Sequence, residues 1–133
     1  MVGMPETLLL NDFGAIVLDA FGTMPFLVGS SLDKKTGWRD VDIRLILDDE
    51  EYIKLGLGDG TFPHLNAKWV ALVKAFSALG RNMTGLPIDF QIQQRTYANK
   101  TYTGSRSAIG ISPHRLNKYK KEKYKESANL VYS

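Results

Sequence analysis

Hydrophobic positions along the chain recur with two periods, and the change of period marks where the element type is expected to change. After Pro5-Glu6, the apolar residues Leu9, Phe13, Ile16, Val17 and Ala20 follow helical spacing, with Gly22 as the stop and Gly14 as a weak point inside. A proline near the start suits the first turn, where its missing N–H would be unpaired in any case. A second helical stripe comprises Leu65, Trp69, Leu72, Val73, Phe76 and Leu79 and is ended by Gly80; it reads as core, not as a cofactor box. Strands are predicted at about residues 24–28, 41–47 and 86–93, where the period falls to two. Asp48-Asp49-Glu50-Glu51 fits the acidic first turn of a short helix, whose N-terminal dipole favours negative charge.

Alternation within two of these strands separates a core face from a polar one. Asp40, Asp42 and Arg44 share one side, as do Asp89, Gln91 and Gln93, whereas Val41, Ile43, Ile88, Phe90 and Ile92 take the other. Residues two apart on a strand lie roughly 7 Å apart, so the Asp40 and Asp42 carboxylates can converge on shared cations. An ordinary solvent-facing sheet would alternate in the same way. What distinguishes this chain is Gly29-Ser30 upstream of the acidic pair. A glycine lets phosphate oxygens reach backbone N–H groups, and a neighbouring hydroxyl adds a donor, although Gly-Ser standing alone is a simple turn. Three carboxylates on one wall repel one another unless a cation sits among them. Such hard oxygen ligands suit Mg²⁺ or Mn²⁺, and two ions roughly 3.5–4 Å apart can clamp both the attacking and the leaving oxygens of a phosphoryl displacement.

Val28-Gly29-Ser30, a gap of nine residues, Asp40-Val41-Asp42-Ile43 and a later strand carrying Asp89 together resemble the nucleotidyltransferase superfamily, the DNA polymerase beta-like or minimal nucleotidyltransferases. The resemblance covers about residues 24–93. It implies an α+β fold, a small mixed sheet with helices mainly on one face. It further implies that Asp40, Asp42 and Asp89 are catalytic and hold two Mg²⁺ or Mn²⁺ ions, and that Gly29 and Ser30 bind the β/γ phosphates of a nucleoside triphosphate. Lys34, Lys35 and Arg44 would assist with the triphosphate. The reaction implied moves an NMP group from an NTP to a hydroxyl acceptor and releases pyrophosphate, in some small members with a partner chain completing the pocket. After Gly-Ser, this chain reads Ser31-Leu32-Asp33 where small members commonly carry an Ala-Arg-Gly-like segment. Two other classes fit the same residues: a catalytically inactive nucleotide- or nucleic-acid-binding module of this fold, and a structural protein.

Composition narrows the rest. A length of 133 residues with 44% hydrophobic residues fits one domain, expected over 1–112, followed by a basic tail or helix over 113–133. The tail holds six Lys/Arg against Glu122 and Glu126, so the formal charge of +3 comes from it. With Tyr119 and Tyr124 interleaved, it could contact RNA or DNA phosphates and stack a base; a solvated terminal helix is the plainer alternative. The absence of cysteine excludes disulfides and thiolate metal sites. No apolar run approaches the roughly 18 residues that span a membrane, and Met1 to Glu6 lack a basic leader, so a cytoplasmic protein without membrane contact is expected. His64 and His114 lack zinc spacing, and Gly56 to Gly60 lack the setting of a dinucleotide loop, so both features read as surface.

Overall fold

The structure is a computed structural model that describes residues 4–28, 40–101 and 104–110. Gly29, Ser30, Lys34, Lys35 and the segment 113–133 therefore lie outside the described residues.

The first helix, α1, runs Met4–Phe21. Its buried side is Leu10, Phe13 and Val17, while Leu9 and Ala20 face solvent, so the helix is rolled away from the stripe that its apolar spacing predicts. Gly14 explains the roll. A Cβ there would stand 2.7 Å from the Gly110 nitrogen, so only a glycine allows the two backbones this close. The Asn11 side-chain oxygen then accepts the Gly110 N–H at 3.1 Å.

Strand β1 is Phe26–Val28 and β2 is Val41–Leu47, an antiparallel pair. A crossover follows, made of α2 (Asp49–Lys54), a single 3-10 turn (Pro63–Leu65) and α3 (Ala67–Thr84). It leads into β3 (Ile88–Gln94), parallel to β2. The short helix α4 (Arg95–Thr101) and β4 (Arg106–Ala108), antiparallel to β1, complete the mixed sheet in the order β3-β2-β1-β4. A mixed four-stranded sheet with helices is thus the architecture, as the α+β expectation requires.

Val41, Ile43, Leu45, Ile88, Phe90 and Ile92 bury one sheet face against α1 and α3. Phe90 is the hinge of this packing, edge-on to Phe13 with centroids 6.0 Å apart and tilted on Phe76 at 5.4 Å. Each such side chain removed from water stabilises the fold by about 1.5–3 kcal/mol. The α3 N-cap is Asn66, whose side chain accepts the Trp69 N–H at 2.8 Å. Gly80 does not end α3. A Cβ there would meet Ile88 at 3.0 Å, so the glycine brings the helix down onto β3, and the helix continues to Thr84. Gly85 ends it in the left-handed conformation, φ 71°, its N–H on the Arg81 carbonyl. Leu65, expected in the apolar stripe, instead falls in the preceding 3-10 turn and is 74% exposed.

Side chains of α3 also pair with β3's outward backbone groups. Arg81 Nε donates to the Ile88 carbonyl at 3.0 Å and Trp69 Nε1 to the Ile92 carbonyl at 2.8 Å. Between them Ser77 Oγ accepts the Phe90 N–H at 3.0 Å and donates to the Phe90 carbonyl at 3.3 Å. Among the described residues, no helix is long and apolar enough to cross a membrane.

Candidate functional site: carboxylates and arginine on the polar sheet face

Strand register places the acidic residues. Arg106 pairs with Val28, Val28 with Asp42 and Asp42 with Asp89, so these four form one row across all four strands. Side chains of directly paired residues share a face, and this face is opposite the core because Val41, Ile43, Ile88 and Phe90 point the other way. Asp42 and Asp89 therefore stand side by side on parallel strands. Asp40 precedes β2 and is exposed; its charge still reaches Asp42.

Arg44, one same-face step beyond Asp42, bends back over the pair. Its Nη2 lies 3.3 Å from Asp89 Oδ2 and 3.6 Å from Asp42 Oδ1, while Nη1 donates to the Asp89 carbonyl at 2.8 Å and to the Ile43 carbonyl at 3.2 Å. Its side chain is only 15% exposed, against 26% for Asp42 and 38% for Asp89. The residue expected to meet a triphosphate is thus engaged with the carboxylates. Burial raises the Asp42 pKa above its ordinary value; Arg44 pulls it down, and the charges of Asp89 and Asp40 push it up again. When protonated, Asp42 can donate a hydrogen bond to Asp89.

A cavity of 220 Å³ opens beside the pair, lined by Val28, Asp42, Arg44, Ile46, Gln93, Thr101 and Arg106. Thr101 brings α4 to this face, opposite α1 and α3. Arg106 ties the wall together, donating to the Asn99 side chain at 3.2 Å and the Ala98 carbonyl at 3.1 Å. Neither Thr101 nor Arg106 was foreseen, since a three-residue strand and a seven-residue polar helix carry almost no periodic signal. A larger hollow of 400 Å³ lies at the Gly58–Asn66 loop, but there the Asp59 carboxylate already accepts the Thr61 N–H at 2.9 Å. The carboxylate face is the better candidate for chemistry.

The donor set can be weighed against a metal. Asp42 and Asp89 offer hard oxygens side by side, but the Arg44 guanidinium already meets both and Arg106 lines the adjoining cavity. Among the described residues, no three of His, Asp and Glu are gathered as a metal site. A second ion would need Asp40 drawn in from the start of β2.

Compared with protein-family models, curated proteins and solved structures, the chain matches none. The likeness to nucleotidyltransferases rests on the residue pattern alone.

Proposed function

We propose that the chain is a small metal-dependent nucleotidyltransferase, moving an NMP group from a nucleoside triphosphate to a hydroxyl acceptor with release of pyrophosphate. The observation that carries this reading is the register that seats Asp42 directly beside Asp89 on parallel strands, with Asp40 two residues ahead. Asp42 and Asp89, with Asp40, would hold Mg²⁺ or Mn²⁺. When bound, the ion offsets the charge that develops on the transferring phosphoryl group. The chain's own residues then have separate tasks in this reading. Asp89, the more exposed of the paired carboxylates, accepts the proton from the attacking hydroxyl. Backbone N–H groups at Gly29-Ser30, with Lys34 and Lys35, bind the triphosphate tail. The nucleotidyltransferase fold itself belongs to this proposal.

Incubation with α-labelled NTPs, Mg²⁺ or Mn²⁺ and a mixture of RNA, protein and small-molecule hydroxyl acceptors is the test. Metal-dependent label transfer that disappears in Asp42→Asn is the expected outcome. A fully active Asp42→Asn protein would overturn the reading.

One observation favours a second reading. Arg44 already supplies a positive charge between the carboxylates, which is what a catalytically idle nucleotide- or nucleic-acid-binding module would need. In that case label transfer is absent while NTP or RNA binding persists, and the binding is insensitive to Mg²⁺.

A further inference from the structure

We infer that the 220 Å³ cavity beside the Asp42–Asp89 pair is a binding site for a small hydroxycarboxylate, held at its carboxylate by Arg106 and at its hydroxyl by Thr101. The inference goes beyond nucleotidyl transfer and needs no metal. Its starting point is a pair of apolar residues on the polar face of the sheet. Ile46 shares a side of β2 with Asp42 and Arg44, yet it is 1% exposed, and Val28, paired with Asp42, is 5% exposed. Both line the cavity, so this end of the polar face is a covered hollow with an apolar floor and not a solvated wall. Concave sites that combine apolar lining with a few convergent polar groups are where small molecules bind. A volume below the roughly 300–1,000 Å³ of sites for drug-sized ligands selects a smaller molecule.

The charged groups select the ligand's chemistry. Arg44 spans Asp42 and Asp89, and Asp89 stands outside the lining, so the cavity wall itself holds two arginines against one aspartate. That balance suits a single negative charge. A carboxylate carries one, whereas a phosphate monoester carries about 1.5 to 2 at neutral pH. Two of the Arg106 hydrogen bonds go to neutral oxygens on α4, the Asn99 side chain and the Ala98 carbonyl, which hold the guanidinium in place without cancelling its charge. Its planar fork matches the two oxygens of a carboxylate. Thr101 Oγ1 donates its proton to the Tyr97 carbonyl at 2.9 Å, so towards the cavity it is an acceptor. A ligand that meets it must carry a donor. A hydroxyl supplies that donor and leaves the ligand its negative charge, which an ammonium would cancel. Val28 and Ile46 then receive the carbon skeleton.

Lactate is the probe, titrated into the isotope-labelled full chain while NMR follows two groups of the lining, the Gln93 side-chain amide and the Ile46 N–H. Saturable shifts of both signals are expected, and their absence overturns the proposal. Neutral lactamide should bind at least about tenfold more weakly, because the charge-assisted bidentate contact is lost; equal binding overturns the carboxylate assignment. Inorganic phosphate should also bind more weakly than lactate, and tighter binding by phosphate overturns the choice of ligand class. Propionate, which lacks the hydroxyl, should bind the parent about threefold more weakly than lactate, and Thr101→Val should bring the two acids to equal affinity. A preference for lactate that survives Thr101→Val overturns the role given to Thr101. Arg106→Gln, its fold checked by circular dichroism, should lose about tenfold in lactate affinity, and an unchanged affinity overturns the site. Should Arg106→Gln not fold, Arg106→Lys, which keeps the charge without the fork, decides: binding at least about threefold weaker supports the proposal and unchanged affinity overturns it.

Discussion

Asp42 meets opposing influences, and their balance sets a pH dependence. Burial, with Asp89 and Asp40, outweighs Arg44 and raises its pKa. An acid with a raised folded pKa holds its proton better in the native state than in the unfolded one. Stability therefore falls as pH rises from the ordinary carboxylate value through the raised one. Asn at position 42 removes that slope, so urea denaturation across this window should show Asp42→Asn losing less stability with rising pH than the parent. An undiminished slope would assign the effect to another group. The opposite sign holds at Asp49, whose carboxyl is held below its ordinary pKa by hydrogen bonds from the Thr96 hydroxyl and N–H. That contribution is lost as pH falls through the depressed value. The polar face taken by Asp42 and Asp89 was legible in the sequence, because alternation in both strands put each opposite its apolar neighbours; their side-by-side register was not, since pairing of strands is a tertiary matter. The direction taken by Arg44 was not. Parity fixes the face of a side chain, but a long flexible arginine chooses between carboxylates and open cavity by tertiary distances that no spacing encodes.

Helices α1 and α3 were legible as amphipathic stretches, yet the roll of one and the end of the other were misread at a glycine. Gly80 reads as a stop and Gly14 as a weak point inside its helix, whereas each marks a close approach to another segment, Gly14 to Gly110 and Gly80 to Ile88. The two approaches differ in kind, and substitution should separate them. At Gly80 the added methyl meets the Ile88 side chain at 3.0 Å, which can yield slightly. There the gain in helix propensity of about 1 kcal/mol offsets part of an overpacking cost of about 1–3 kcal/mol. Gly80→Ala should lose about 1 kcal/mol. At Gly14 the methyl meets backbone at 2.7 Å, and backbone cannot turn aside. Gly14→Ala should therefore lose clearly more, about 3 kcal/mol, in the same denaturation experiment. Equal effects would mean that α1 shifts freely on the sheet. The short α4 escaped notice because its footing is tertiary: Arg95 pairs with Asp48 and Thr96 with Asp49, both at the start of α2.

For the molecule as a whole, charge and sheet edges carry separate consequences. The excess positive charge lies after residue 113, so if the chain binds RNA, removing residues 116–133 should weaken that binding and flatten its salt dependence. Each lost phosphate contact lowers the slope by about one unit. Titration against labelled single-stranded RNA at two salt concentrations measures this, and identical slopes would clear the tail of the role. The sheet's two margins are unequal. A bare edge strand of seven residues is a template on which foreign strands can stack, and β3 has that length and that place in the sheet. Trp69, Ser77 and Arg81 occupy the carbonyls of Ile88, Phe90 and Ile92 and the Phe90 N–H, so these groups are not open to a foreign strand. The opposite margin, β4, is three residues long, too short to seed a stack. Ser77→Ala would strip two partners at the centre of β3, costing about 1–3 kcal/mol for the orphaned groups. It should also shorten the lag of thioflavin-positive fibril growth on mild heating, whereas Ser77→Thr, which keeps the hydroxyl, should retain most of the lag. The serine is thus a guard against fibre formation, placed on the helix instead of on the strand that it protects.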